Sequence, residues 1–148
     1  MSNYVTHLEC SISGDHYPAG QIHGLSEAGR PLLVRYDLKR MRSEVSKQDI
    51  SASSANGFWR YAPMLPVTKP ESRISLGEVV TPLMPLTSSA AMLGGVSGKI
   101  IVKDEGRLPT GSFKARGLAL AVSMAHEFGL QHLAIPTNGN AGAAMAAY

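Results

Sequence analysis

The chain has 148 residues, 44% of them apolar and 17% charged, with 14 Lys and Arg against 11 Asp and Glu for a net charge of +3. That balance excludes a disordered polar chain and gives enough length for one domain with a real core. Its one basic cluster, Arg35, Lys39, Arg40 and Arg42, is interleaved with Asp37 and Glu44, so it reads as a solvated face and not as a nucleic-acid-binding patch.

Residues 1–30 are rich in Gly, Ser and His and show little periodicity. Pro31–Tyr36 is a short apolar run that predicts a strand, and Leu38 to about Ile50 predicts a short polar helix. Residues 51–70 carry Ser-Ala-Ser-Ser, Asn-Gly and three prolines and predict a connecting segment. Within it, the aromatic cluster Phe58-Trp-Arg-Tyr61 predicts an anchor that docks the segment on the body. Ile74–Leu83 reads as extended chain and Ala90–Gly98 as a glycine-rich turn. Lys99–Asp104 has the continuous apolar centre of a buried parallel strand. A turn at Leu108-Pro-Thr-Gly111 leads to Ser112, a candidate cap for a helix that runs to about Glu127 and stops at Gly129. Its apolar positions are Leu118, Leu120, Ala121, Val122, Ala125 and Phe128. His132–Pro136 predicts another strand, Thr137-Asn-Gly-Asn140 a tight turn, and Ala141–Tyr148 a further helix.

Strand, turn, helix, strand, turn, helix is the order of an α/β fold with a mainly parallel sheet, preceded here by an irregular N-terminal region. Ligands in such folds bind in the turns that follow the strands. Two turns hold that position. One precedes Lys114, at the start of its helix, where the free N–H groups and partial positive charge disfavour an ammonium and favour anions. Lysine is the side chain that condenses with an aldehyde, and it does so best as a free amine. Taken alone, Lys114 would be a surface lysine, as most are. Arg107 and Lys103 flank the same turn and could meet an anionic substrate; Arg116 is given no catalytic role. The other turn, Thr137-Asn-Gly-Asn-Ala141, has by itself the look of an ordinary helix cap, with a glycine that lets a ligand approach the backbone.

Context changes both readings. Ser112-Phe-Lys-Ala-Arg-Gly117 resembles the cofactor-lysine motif of fold-type II pyridoxal-phosphate (PLP) enzymes, related to the tryptophan synthase β fold. The longer stretch Lys103–Gly117 is most similar to the threonine synthase family. Phe58-Trp-Arg-Tyr-Ala-Pro-Met-Leu-Pro66 resembles that family's Trp-Arg-Tyr segment, and Ile74-Ser-Leu-Gly-Glu-Val-Val-Thr-Pro-Leu83 its Leu-Gly-Glu-Gly-x-Thr-Pro-Leu segment, with Val79 where glycine is usual. The resemblance implies a partial PLP fold, with an N-terminal segment over residues 1–70 and the beginning of the cofactor-binding catalytic domain over 71–148. It implies PLP as cofactor, carried by Lys114 as a Schiff base, with Asn140 beside the cofactor ring and Thr137, Asn138 and Gly139 near the substrate carboxylate. The implied reaction takes O-phosphohomoserine and water to threonine and phosphate. The family's phosphate-cradling glycine-rich loop and the residue facing the pyridine nitrogen lie further along than Tyr148. The chain alone is therefore expected to have little or no turnover, and its expected partners are a C-terminal portion or a second copy. Cysteate synthase, threonine dehydratase and a non-catalytic binding module are the alternatives.

Some relatives begin with two Cys-x-x-Cys-Gly knuckles of zinc-ribbon spacing. The matching segments read Cys10-Ser-Ile-Ser-Gly14 and Leu25-Ser-Glu-Ala-Gly-Arg-Pro-Leu32. One thiol cannot hold structural zinc, and the spacing of His7, His16 and His23 matches no common site, so no metal is expected. A single cysteine also leaves no internal disulfide, and no apolar run approaches the ~20 residues of a membrane span. With no secretory or transit signal at its start, the chain reads as cytoplasmic, without nucleic-acid or membrane partners.

Overall fold

A computed structural model of the chain describes residues 4–55, 57–86 and 99–148. The glycine-rich turn expected at Ala90–Gly98 lies outside the described residues.

The N-terminal region is more regular than its sequence suggests. Strands β1 (Val5–Cys10), β2 (His16–Pro18) and β3 (Leu32–Tyr36) form an antiparallel sheet in the order β2-β1-β3. Only β3 was foreseen. The first two escape a periodicity search because β2 has three residues, and because most of β1 is half-buried, with no strict alternation to read. Cys10 closes β1 and is 1% exposed. Its thiol donates to Ser26 Oγ at 3.1 Å, and the Ser13 N–H donates to the sulfur at 3.4 Å. Serine groups thus surround the sulfur, while Leu25 points to solvent.

The helix expected over residues 38–50 is two: α1 (Leu38–Glu44) and α2 (Lys47–Ala52). Ser46 breaks it. Its hydroxyl accepts from the Asp49 N–H at 3.1 Å, and Asp49 accepts from the Ser46 N–H at 2.8 Å. This reciprocal box satisfies donors at a new helix start. The 57–64 segment winds as a 3-10 helix and docks as expected. Trp59, Ala62 and Val67 form a buried cluster, with Phe58, Leu65, Leu120 and Met124 packed on it, and Trp59 Nε1 donates to the Ile74 carbonyl at 3.0 Å. Gly57 makes this approach feasible. Its φ is +66°, and a Cβ there would stand 1.7 Å from the Glu78 carbonyl oxygen.

Helix α3 (Lys114–Glu127) is the central element. Its fully buried positions are Ala115, Ala119 and Ser123, one turn apart, whereas Leu118, Leu120, Val122 and Phe128 are only half-buried and Ala121 is exposed. The expected large apolar face is therefore shifted. Small side chains allow close approach, and helix α4 (Asn140–Ala147) packs against α3 with Ala144 fully buried. Two polar contacts fasten the preceding chain to α3. Ser123 Oγ accepts from the Ile74 N–H at 2.9 Å, and Glu127 accepts from the N–H groups of Thr68 and Lys69, both at 2.9 Å.

Strand β5 (Ile101–Lys103) is shorter than the expected Lys99–Asp104, and it pairs antiparallel with β4 (Leu83–Pro85). Residues 132–136 join no ladder. Both sheets among the described residues are antiparallel, so the mainly parallel sheet expected from the element order is not formed there. A strand is defined by its partner, and the antiparallel return from β4 reaches β5 first. The helices follow β5 and the 132–136 segment as an α/β order requires.

Candidate functional site

The turn before Lys114 is built by an ion pair that sequence reasoning left aside. Arg116, one residue beyond Ala115, makes a bidentate pair with Glu105, its Nη2 donating to Oε1 at 2.9 Å and its Nε to Oε2. Buried Thr81 completes the network, donating to Glu105 Oε1 at 2.7 Å and accepting from Arg116 Nη2 at 3.2 Å. The Arg116 guanidinium holds the Glu105 carboxyl down at about 2. This clamp joins the end of β5 to the first turn of α3 and brings the Val-Val-Thr-Pro segment beneath both. Lys103 and Arg107, expected to be free for an anion, have other partners. Lys103 Nζ lies 3.7 Å from Glu105 Oε1, and Arg107 pairs with Asp104 at 3.0 Å.

Lys114 is the first residue of α3 and is half-buried. Its Nζ makes no hydrogen bond or ion pair to the described residues and rests 4.8 Å from the centroid of the Phe113 ring. Ser112 does not cap the helix. Phe113 already has helical backbone angles, and the Ser112 carbonyl accepts from the Ala115 N–H at 3.2 Å. The hydroxyl is thereby turned inward, where Ser112 Oγ and Thr110 Oγ1 are both buried without a hydrogen-bond partner. Two orphaned hydroxyls at one turn are costly unless a ligand or water meets them. Thr110 was read only as a turn residue; the signal that could have singled it out is its place two residues before Ser112 and four before Lys114.

The second turn opens α4. Thr137 Oγ1 accepts from the N–H groups of Gly139 and Gly142, each at 3.0 Å, so its hydroxyl is the helix cap. Gly139 has φ +145° and ψ −92°, a conformation other residues avoid. Asn138 and Asn140 are exposed, and their side chains make no hydrogen bond to the described residues. Helix α3 packs against α4, and no hydrogen bond or ion pair joins Lys114 to Asn140. Below them, buried Glu78 accepts from the Ser75 hydroxyl at 2.5 Å, the Leu76 N–H at 3.0 Å and the Tyr148 hydroxyl at 2.6 Å, tying the Leu-Gly-Glu segment to the end of α4.

This site, with an unpaired lysine at a helix start, lies within a matched family region: residues 74–148 match the family of pyridoxal-phosphate dependent enzymes. The chain belongs to that family, whose cofactor is PLP. Among curated relatives it is similar to the threonine synthase of Methanocaldococcus jannaschii, 34% identical over 94% of this chain and 34% of the relative, and to that of Methanosarcina acetivorans, 34% identical over 96% and 34%. The threonine synthase of Halalkalibacterium halodurans is 44% identical over 60% of this chain and 24% of its own length. The chain spans about a third of the length of the first two. No solved structure matches it. The residues around Lys114 fit the family's cofactor: its amine makes no hydrogen bond or ion pair to the described residues, and Thr110 and Ser112, four and two positions before it, have buried hydroxyls that lack hydrogen bonds. No helix among the described residues is long and apolar enough to cross a membrane.

Proposed function

We propose that this chain carries the cofactor-lysine part of a threonine synthase-like enzyme that takes O-phosphohomoserine and water to threonine and phosphate in the cytoplasm. The observation that carries this reading is Lys114, unpaired at the start of α3, inside a stretch similar to threonine synthases. Lys114 would hold the cofactor, and its Nζ is the group that would move a proton. Thr110 and Ser112 donate their unpartnered hydroxyls to ligand oxygens. Asn140, at the head of α4, would contact the cofactor, and the backbone of Thr137, Asn138 and Gly139 would bind the substrate carboxylate. When bound, PLP supplies an electron sink that stabilises carbanion character in the substrate. Residues 132–136 take a place in the family's parallel sheet when strands from the rest of an enzyme, or a second copy, lie beside them.

The test is borohydride reduction of the chain after PLP titration, with peptide mass mapping. A phosphopyridoxyl adduct confined to Lys114 and lost in Lys114→Ala is the expected result; labelling scattered over several lysines, or unchanged in the variant, would remove Lys114 from the role. Phosphate release from O-phosphohomoserine, against ammonia release from threonine, separates this reaction from a dehydratase. Turnover by the chain alone is expected to be at or near background, because so much of the relatives' length is not represented in it.

A further inference from the structure

The N-terminal sheet brings together three side chains that the sequence holds apart. His7 and Glu9 are two residues apart on β1 and so share a face. His16 on β2 is paired directly with Glu9 across the ladder. The two imidazoles stack with centroids 3.9 Å apart. Their Nε2 atoms approach one carboxylate oxygen, Glu9 Oε2, at 3.8 Å from His7 and 3.9 Å from His16. All three ligand atoms lie within 4.8 Å of one another.

The surrounding bonds fix which atoms remain free. Glu9 Oε1 accepts from Arg35 Nη2, which leaves Oε2 for the imidazoles. His7 Nδ1 lies 2.9 Å from Thr6 Oγ1, and that hydroxyl gives its one proton to the Arg35 carbonyl at 3.2 Å. With the hydroxyl proton given to that carbonyl, Nδ1 carries the hydrogen and Nε2 the lone pair. That Nε2 is buried and has no hydrogen-bond partner. Proton-mediated ion pairing explains the cluster less well. Arg35 already neutralises Glu9, and two stacked imidazolium rings would repel each other.

We infer that His7, Glu9 and His16 form a site for a divalent transition-metal ion of the zinc class. Two imidazole nitrogens and one carboxylate oxygen are its ordinary donors, and a backbone-anchored proton on the far nitrogen of a ligand histidine is the usual support. Metal–ligand distances of about 2.0–2.1 Å in a tetrahedral site put ligand atoms about 3.3 Å apart. The exposed His16 ring can close that gap, and a water takes the fourth position. The expectation of no metal rested on the missing thiols and on the sequence spacing of His7, His16 and His23; the inference departs from it, because β1–β2 pairing brings His7 and His16 to one carboxylate whatever their spacing. The bound ion would pin the short β2 to β1.

The probe is Zn²⁺ alone, titrated into the purified chain by calorimetry, with Co²⁺ absorption as the second readout. One equivalent should bind, without a thiolate-to-cobalt charge-transfer band. His16→Gln and His7→Gln should each weaken binding by about tenfold or more, and Thr6→Val by about tenfold through loss of the imidazole's support. Cys10→Ser should leave it unchanged. Zinc should raise the melting temperature of the wild type and not that of His16→Gln, whose exposed position makes misfolding no explanation. Absence of one-equivalent binding would overturn the inference, as would binding that survives both histidine changes or is lost with Cys10→Ser.

Discussion

Glu105, outside the reactive set, ties the end of β5 to the first turn of α3 through Arg116. Its carboxyl is held at about 2 by Arg116, below the 4.5 of an unpaired glutamate. A depressed carboxylate pKa stabilises the fold above the unfolded value, and that stabilisation is lost as pH falls through the folded one. The Glu105 contribution is therefore full above about pH 5 and disappears between about 4.5 and 2. Both partners are roughly three-quarters buried, so the contribution is on the order of 2 kcal/mol. Glu105→Gln should lower the melting temperature at pH 7 and flatten its fall over that acid range. A melting curve as steep in acid as the wild type's would mean that other carboxylates set the acid limit. Lys114 itself could be singled out from the sequence, because the motif around it is local. That its Nζ makes no hydrogen bond or ion pair to the described residues could not, since that depends on how distant segments fold around the turn.

At the scale of elements, the fold rests on close approaches between segments that have little regular structure of their own. The clearest is the 3-10 segment 57–64 against the extended chain 74–81. Gly57→Ala would place a methyl 1.7 Å from a backbone carbonyl and demand a left-handed φ from alanine. The neighbouring atom is backbone and cannot swing aside, so the loss should exceed the usual cost of overpacking, at about 3 kcal/mol or more. Denaturant unfolding should show the midpoint moved down; a midpoint within error of wild type would mean that segment 57–64 does not dock as described. The aromatic anchor was legible in the sequence, because a Trp among prolines has little to do but bury itself. The α3 face was misjudged for the opposite reason. Apolar size suggested Leu and Val, but the fully buried positions are Ala115, Ala119 and Ser123, whose small side chains let neighbouring backbone come close, as the Ile74 N–H does at Ser123.

For the molecule as a whole, apolar surface is left uncovered at the β4–β5 ladder. Leu83 is 65% exposed and Ile101 55%, in a sheet that has two strands, and so two edges, among the described residues. Such an edge invites pairing with another chain. The chain alone should self-associate at micromolar concentration, and Leu83→Lys with Ile101→Lys should reduce this in sedimentation experiments. A wild-type chain that sediments as a monomer would show that the edge is harmless. The order of the last two helices and the turns before them, and the PLP family, were written in the sequence, because caps, turns and motif spacing act over a few residues. Tertiary structure alone decided which strands pair, which hydroxyls are stranded before Lys114, and that His7, Glu9 and His16 meet. Each of these depends on backbone hydrogen bonds between distant segments, and no local pattern of side chains encodes the register those bonds select.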